Sequence, residues 1–483
     1  MTKFLLPALL LFSSSLTAVT YKVSTPQALG EAFSNVNPGD TILMAPGEYT
    51  ISRIYYIKRS GNAKAPILIQ GAGIGKTTII PLYTKAFRVF GHYIQFKNLT
   101  FRGRGGGVPF EAMGNHITVE WCSFEENNVG LDISGNHFRG RHLFIYSNEK
   151  TGIEVNGGFI WRENWSNDVI RLREALGLLP GKAYERERWS VAQLTEMEAL
   201  WDRREMDCRL EYVYFHENGI NRYPRKGYPY GWKYGQALYG GQLKAVPNVS
   251  GLTLYRCFAT GGQWSNYWID FPSKGENIFK ELYAIGGQHG VHIEGGNFDP
   301  GEEADQRTIV EDCVFWNVHQ GIFNSASATN VYRNNLIGAY KYGIINHGIK
   351  GNRTDLKTIA NFENNQVYLF QSTVMRLGVT QREAPIGHLI WFSGPNAEGA
   401  SRSGNTYYLS PDFPRLKISN STNADYSFSS ANPGKKTPSE SVVTVTSIPD
   451  LILPFWIDQL PQFEKYVNVG EYEISKKGEA ENE

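Results

Sequence analysis

Between Gly235 and Asn365 the chain alternates apolar and polar positions in short bursts, and the bursts recur. GGQLK, NYWID, GVHIE, GIFNS and GIINH follow one another at intervals of about 21 to 30 residues, the signature of a repeat architecture. Period-two alternation makes each burst a strand, with Leu243, Ile269 and Ile293 turned to one side and their neighbours to the other. Laid in register, the bursts put Lys244, Asp270, Glu294, Ser325 and His347 in one outward column. Gln242, Trp268, His292, Phe323 and Ile345 form a second column two residues earlier. One short strand per coil, apolar inside and functional groups outside, predicts an all-β right-handed parallel β-helix.

The same rhythm runs upstream from Phe87, where Ser134 and Asn156 precede Lys244 in its column and Asp132 and Glu154 occupy the other. Residues 21–50 read as a short capping helix, a turn at Asn37-Pro38-Gly39-Asp40 and a first strand, TILMA; a solenoid needs such a cap over its open end. GAGIGKT resembles a phosphate-binding loop, but Gln70 replaces the first glycine and TTII continues as a strand, so a turn is expected. The rhythm breaks at about residues 168–207, which read as two helices with an apolar stripe of Leu194, Met197, Leu200 and Trp201. A loop at 217–240 follows, rich in tyrosine and cations, and Arg225, Trp232 and Tyr239 in it are expected to contact a ligand. The predicted organisation is a signal peptide at 1–18, a cap at 19–50, a β-helix at 51–379 carrying the helical insertion, and C-terminal capping loops and strands at 380–483.

Residues 1–18 carry a charged start at Lys3, an apolar run from Phe4 to Phe12 and small residues before Ala18. The run is too short to span a bilayer, so export to a secreted or periplasmic location is expected, with no membrane association once the signal is removed. A formal charge of +1 implies no bulk polyanion-binding character and argues against nucleic-acid binding, and no His/Cys group has zinc-ligand spacing. Three of the four cysteines, Cys122, Cys257 and Cys313, fall where other coils carry Leu282, Asn335 and Asn365; they read as buried spacers, not disulfide partners.

Repeat, signal and cap together resemble the pectate-lyase-like superfamily of secreted, polysaccharide-active β-helix proteins. VNPGDTILMAPGEYT…APILIQG is similar to the start of the chondroitinase B and alginate lyase family. PSKGEN with Lys274 resembles the segment holding that family's catalytic lysine, although His292-Ile293-Glu294 stands where the family presents an arginine. NYWID…GVHIE resembles β-helix glycosidases with an Asp and a Glu on successive coils.

Asp270 and Glu294 lie one coil apart, which puts their carboxyls on the order of 5 to 6 Å from each other at the spacing of neighbouring strands. With Lys244 beside Asp270, the expectation is an ionised Asp270 as nucleophile or base and Glu294 as general acid of a glycoside hydrolase. Trp268, His292, His347 and Gln242 would bind the sugar, and no resident metal or cofactor is needed. Elimination from a uronate polymer is the alternative; there the two carboxylates would hold Ca²⁺ and Lys244 or Lys274 would take the C5 proton. A third reading is a monomeric, non-enzymatic glycan-binding solenoid. In every case the expected partner is a polysaccharide, an anionic one favoured by the loop cations.

Overall fold

The computed structural model describes residues 18–103, 107–157, 206–219, 241–246, 249–262, 264–270, 275–295, 306–326, 329–347, 359–369, 388–393, 400–409, 439–466 and 474–476. Most of the expected signal peptide and helical insertion, the aromatic loop with Arg225, Trp232 and Tyr239, and Lys274 lie outside these residues.

Each coil contributes a strand to three faces of a right-handed parallel β-helix. The first face is a thirteen-stranded sheet running from Thr20–Val23 to Ser401–Ser403. The second runs from Gly47–Ile51 through Phe144–Tyr146 and Phe258–Thr260 to Ser441–Thr444. The third includes Val129–Ile133, Thr151–Asn156, Gly241–Val246, Ser265–Asp270 and His289–Gly295, and carries the repeat that opens the sequence analysis. Val314–Ala326 is one long strand that bends from the second face into the third through two register irregularities after Trp316. The coils continue past residue 379, into His388–Ser393, Ser401–Ser403 and Thr406–Leu409.

The helix at Pro26–Asn35 closes the N-terminal end. Thr25 caps it by accepting the Ala28 N–H, and Leu29, Ala32 and Phe33 cover the first coils. The predicted turn is held by Asp40, whose carboxylate accepts the N–H groups of Asn37 and Val19 at 2.8 and 2.7 Å. After GAGIGK the chain enters the strand Thr77–Pro81, so that segment is a turn.

Tight corners need a backbone in the left-handed region. Asn98, Trp121, His142, Tyr212, Arg256, Glu281, Asp312, Asn334 and Asn364 take it, one per coil, with φ between 51° and 60°. Inside the corner that follows, asparagines stack from coil to coil: Asn127 Nδ2 donates to Asn148 Oδ1 at 3.0 Å, and Asn148 Nδ2 to Asn218 Oδ1 at 2.7 Å. Each carbonyl also accepts a backbone N–H of the preceding coil, so buried corner amides are satisfied. All four cysteines are free and buried, and burial pushes the Cys122, Cys208 and Cys257 thiols up to about 12.

The outer surfaces of the faces differ. On the first, opposite charges follow one another along a single column, Lys97, Glu120, Arg141, Glu211 and, further on, Lys280, Glu311, Arg333. On the second, outward Phe144, Tyr214, Phe258, Ile285, Trp316 and Tyr368 form an apolar strip. Leu451, Leu453, Trp456, Ile457, Leu460 and Phe463 of the C-terminal segment cover it as a second core. Among the described residues no helix is long and apolar enough to cross a membrane.

Replacing Asn148 with Ala strands the Asn127 backbone N–H and the Phe124 carbonyl that Asn148 Nδ2 serves, while the Asn127 carboxamide keeps its bonds to the Phe101 and Glu125 carbonyls. A loss of about 1 to 3 kcal/mol for each buried group left unpaired is expected in denaturant unfolding, against little change for an exposed corner substitution such as Asn334→Gly.

Candidate active site

The third face decides which functional groups meet. Along its outward column Glu111 pairs with Asp132, Asp132 with Glu154, Glu154 with Lys244, Lys244 with Trp268, Trp268 with His292 and His292 with Phe323. Two positions further along the strands, Asp270 pairs with Glu294 and Glu294 with Ser325. The adjacency of Asp270 and Glu294 matches the sequence reading.

The place of Lys244 does not. It stands opposite Trp268, two residues from the predicted register, because Leu243 and Ala245 pack in line with Tyr267 and Ile269. Its long stem still brings Nζ across the diagonal to 3.3 Å from Asp270 Oδ2. The same shift corrects Gln242. It turns into the corner between faces, fully buried, where its carbonyl accepts from Asn218 Nδ2 at 2.6 Å and its amide donates to the Thr260 carbonyl at 2.7 Å. Gln242 therefore terminates the asparagine stack and does not reach a ligand.

Trp268 also departs from expectation. Lys244 Nζ sits 3.7 Å from its ring centroid on one side, and the His292 ring stacks on it at 5.1 Å and 3°. At 1% exposure no indole face is left for a sugar. Phe323 closes the far side of His292 edge-on at 4.6 Å. The polar edge of this column keeps some access to solvent: Lys244, Asp270 and Glu294 side chains are 10%, 15% and 33% exposed. His347, half-buried, lies one coil beyond, its ring 6.4 Å from that of Phe323.

Burial dominates the charges. It drives the Lys244 ammonium down from the usual lysine range, against the opposing pull of Asp270 and Glu154. Burial likewise pushes the Asp270 carboxyl up; Lys244 opposes this and Glu294 adds to it. Glu294 goes the other way. Burial acts to raise it, but His292, whose Nε2 is 3.1 Å from Oε2, together with Lys244 and Trp268, outweighs that and holds the carboxyl below its ordinary value. The two shifts therefore run opposite to the expected ones, up for Asp270 and down for Glu294.

Calcium does not fit these two carboxylates. Each is turned to a partner within the protein, Asp270 to Lys244 and Glu294 to His292, whereas Ca²⁺ takes about six to eight oxygen ligands. Among the described residues no group of three or more His, Cys, Asp or Glu is arranged for a metal.

Sequence reasoning missed several neighbours. Lys150 Nζ bonds Glu154 Oε1 at 2.7 Å, an i,i+4 contact legible in EKTGIE. Lys85 and Arg88 both bind the buried Glu111 of the next coil, a pairing between coils that no local signal reveals. Ser265 and His289 stand behind His292, bonded to each other at 2.8 Å.

No family model matches the chain. Over 126 residues it is 30% identical to pectate lyase L of Dickeya dadantii (strain 3937), a match covering 23% of this chain and 29% of that one. Pectate lyase L of Dickeya chrysanthemi is 29% identical over the same length and shares. The chain thus spans less than a third of these relatives. Among solved structures, a mannuronic acid specific polysaccharide family 6 lyase from human gut microbiota is 13% identical, with 91% of this chain and 93% of that one covered at a TM-score of 0.46. Pectate lyase Pel9A is 14% identical, with 87% and 90% covered at 0.35. By the arrangement of its own coils, the chain is a right-handed parallel β-helix.

Proposed function

We propose that the protein is a polysaccharide lyase that cleaves a uronate-containing glycan by β-elimination on the third face of the helix, outside the cytoplasm. The observation that carries this reading is the buried amine of Lys244, 8% exposed, pushed below the lysine range and aimed along the groove beside Asp270. A neutral amine is the base that elimination requires. The partial likeness to pectate lyase L supports the same reaction class over the hydrolysis expected from sequence.

In this scheme Lys244 takes the C5 proton of the uronate. The released electron pair forms the C4–C5 double bond, the C4–O4 bond breaks, and Asp270, its carboxyl held up by burial, gives the leaving oxygen a proton. Glu294 remains ionised under His292 at the open edge of the groove.

Hydrolysis stays as a second reading on one observation: Asp270 and Glu294 are register neighbours shifted in opposite directions. The roles would then be Asp270 as acid and Glu294 as nucleophile or base.

Incubation with pectate, alginate and other uronate polymers, following ultraviolet absorbance of unsaturated ends and new reducing ends together, separates the two. Elimination predicts both signals in step; reducing ends without unsaturation overturn the lyase reading. Lys244→Arg, permanently charged, is expected to lower the elimination rate by about 10²- to 10⁴-fold, the worth of a positioned general base.

The pH dependence follows from the direction of the Lys244 shift. The base works only when unprotonated and Asp270 donates only when protonated, so kcat/KM is bell-shaped, with the limb set by Lys244 below the ordinary lysine value of about 10.4. Glu154 favours the ammonium, so Glu154→Gln moves that limb to lower pH, as a pH–rate profile would record.

A further inference from the structure

Behind the groove a line of hydrogen bonds runs into the coil. Ser265 Oγ lies 2.8 Å from Nδ1 of His289 and 3.2 Å from Nδ1 of His292. Nε2 of His292 lies 3.1 Å from Glu294 Oε2. Ser265 and His289 are 0% and 3% exposed, and His292 is packed between Trp268 and Phe323. None of these rings can turn without displacing a neighbour.

Proton counting gives the line a direction. An ionised carboxylate only accepts, so Nε2 of His292 carries the hydrogen facing Glu294. A ring with a single proton then leaves Nδ1 bare, 3.2 Å from the Ser265 hydroxyl and placed to accept its proton. A hydroxyl has one proton, so Nδ1 of His289 must carry its own and donate to Ser265 Oγ. His289 suits this: burial, with His292 and His319 nearby, drives it well below the usual histidine value and keeps it neutral. Donation therefore runs His289 to Ser265 to His292 to Glu294.

We infer that Ser265 and His289 are positioning residues that lock His292 as its Nε2–H tautomer, and thereby fix the Glu294 carboxylate at the edge of the groove beside Asp270. Adding a proton at Nδ1 of His292 would require the serine hydroxyl to reverse and His289 to move its own proton to Nε2, on the side of the ring away from Ser265. His292 is thus a fixed donor, not a proton shuttle. Only the effect on turnover rests on the lyase reading; the tautomer does not.

The test is side-chain NMR of the full chain with ¹⁵N-labelled histidine, with His292→Gln assigning the ring signals. The expected wild-type result is a protonated Nε2 and bare Nδ1 on His292, with the reverse on His289. A His292 carrying Nδ1–H in the wild type overturns the inference without any variant. Ser265→Ala is expected to release His292 into a mixture of tautomers, and Ser265→Thr to restore the single form; an unchanged ring in Ser265→Ala also overturns it. In the elimination assay Ser265→Ala should lower kcat by about 10-fold with KM retained, the scale of an orienting partner. A shifted tautomer with unaltered kcat refutes the positioning role. Absence of elimination in the wild type, with the tautomers as expected, counts against the lyase reading and leaves the tautomer assignment standing.

Discussion

Everything at the candidate site depends on the backbone register between adjacent coils of the third face. Parallel ladders fix strands about 4.8 Å apart and give each residue one partner above and one below. Once Leu243 pairs with Tyr267 and Tyr267 with Val291, Lys244 must sit over Trp268 and Trp268 over His292. The sandwich of ammonium, indole and imidazole follows from that pairing. So does the diagonal that carries Lys244 to Asp270, because a shorter side chain in that column would end against the indole.

Burial separates this lysine from its counterparts on the first face. Lys280 also faces carboxylates, Glu311 at 2.9 Å and Asp312 at 3.6 Å, but it is 39% exposed and the contact with Glu311 pushes its ammonium up. Lys244 has one carboxylate at 3.3 Å and is nearly enclosed, and the lost hydration outweighs the ion pair. The same competition turns out differently for the two acids. Asp270 gains too little from Lys244 to offset its burial, whereas Glu294 has both a hydrogen bond from His292 and a more open position.

Much of this was legible from the chain alone. Strand periodicity and the repeat gave the solenoid, its cap and the adjacency of Asp270 and Glu294, since NYWID and GVHIE align without a gap. The misplaced Lys244 has a physical cause. A slip of one residue would turn every side chain to the wrong face, but a slip of two preserves inside and outside, so the hydrophobic pattern raises no objection. What separates the two registers is the volume match of Leu243 and Ala245 against Tyr267 and Ile269 in the core, and alternation carries no volume information. Gln242 obeys outward alternation yet bends into the corner, because a carboxamide is what the end of the asparagine stack needs. The directions of the Asp270 and Glu294 shifts were hidden for a similar reason: sequence adjacency shows the Lys244 charge but not the burial that opposes it.

The C-terminal segment explains why the groove lies on the third face. Outward residues of the second face are large and apolar, and on an open sheet they would form an adhesive patch. Trp456, Leu453 and Phe463 cover that strip, so its aromatics serve as core even though their strands point them away from the helix interior. On the third face the apolar outward residues Trp268, Phe323 and Ile345 lie in one column beyond Lys244. From Glu111 to Glu294 its outward column is mostly charged or polar, and its two buried rings, Trp268 and His292, are enclosed by their own column neighbours. A polar, hydrogen-bonding ligand suits that surface better than an apolar segment of the chain does. The second face is therefore sealed by its own chain terminus, a consequence of which outward positions the sequence makes apolar.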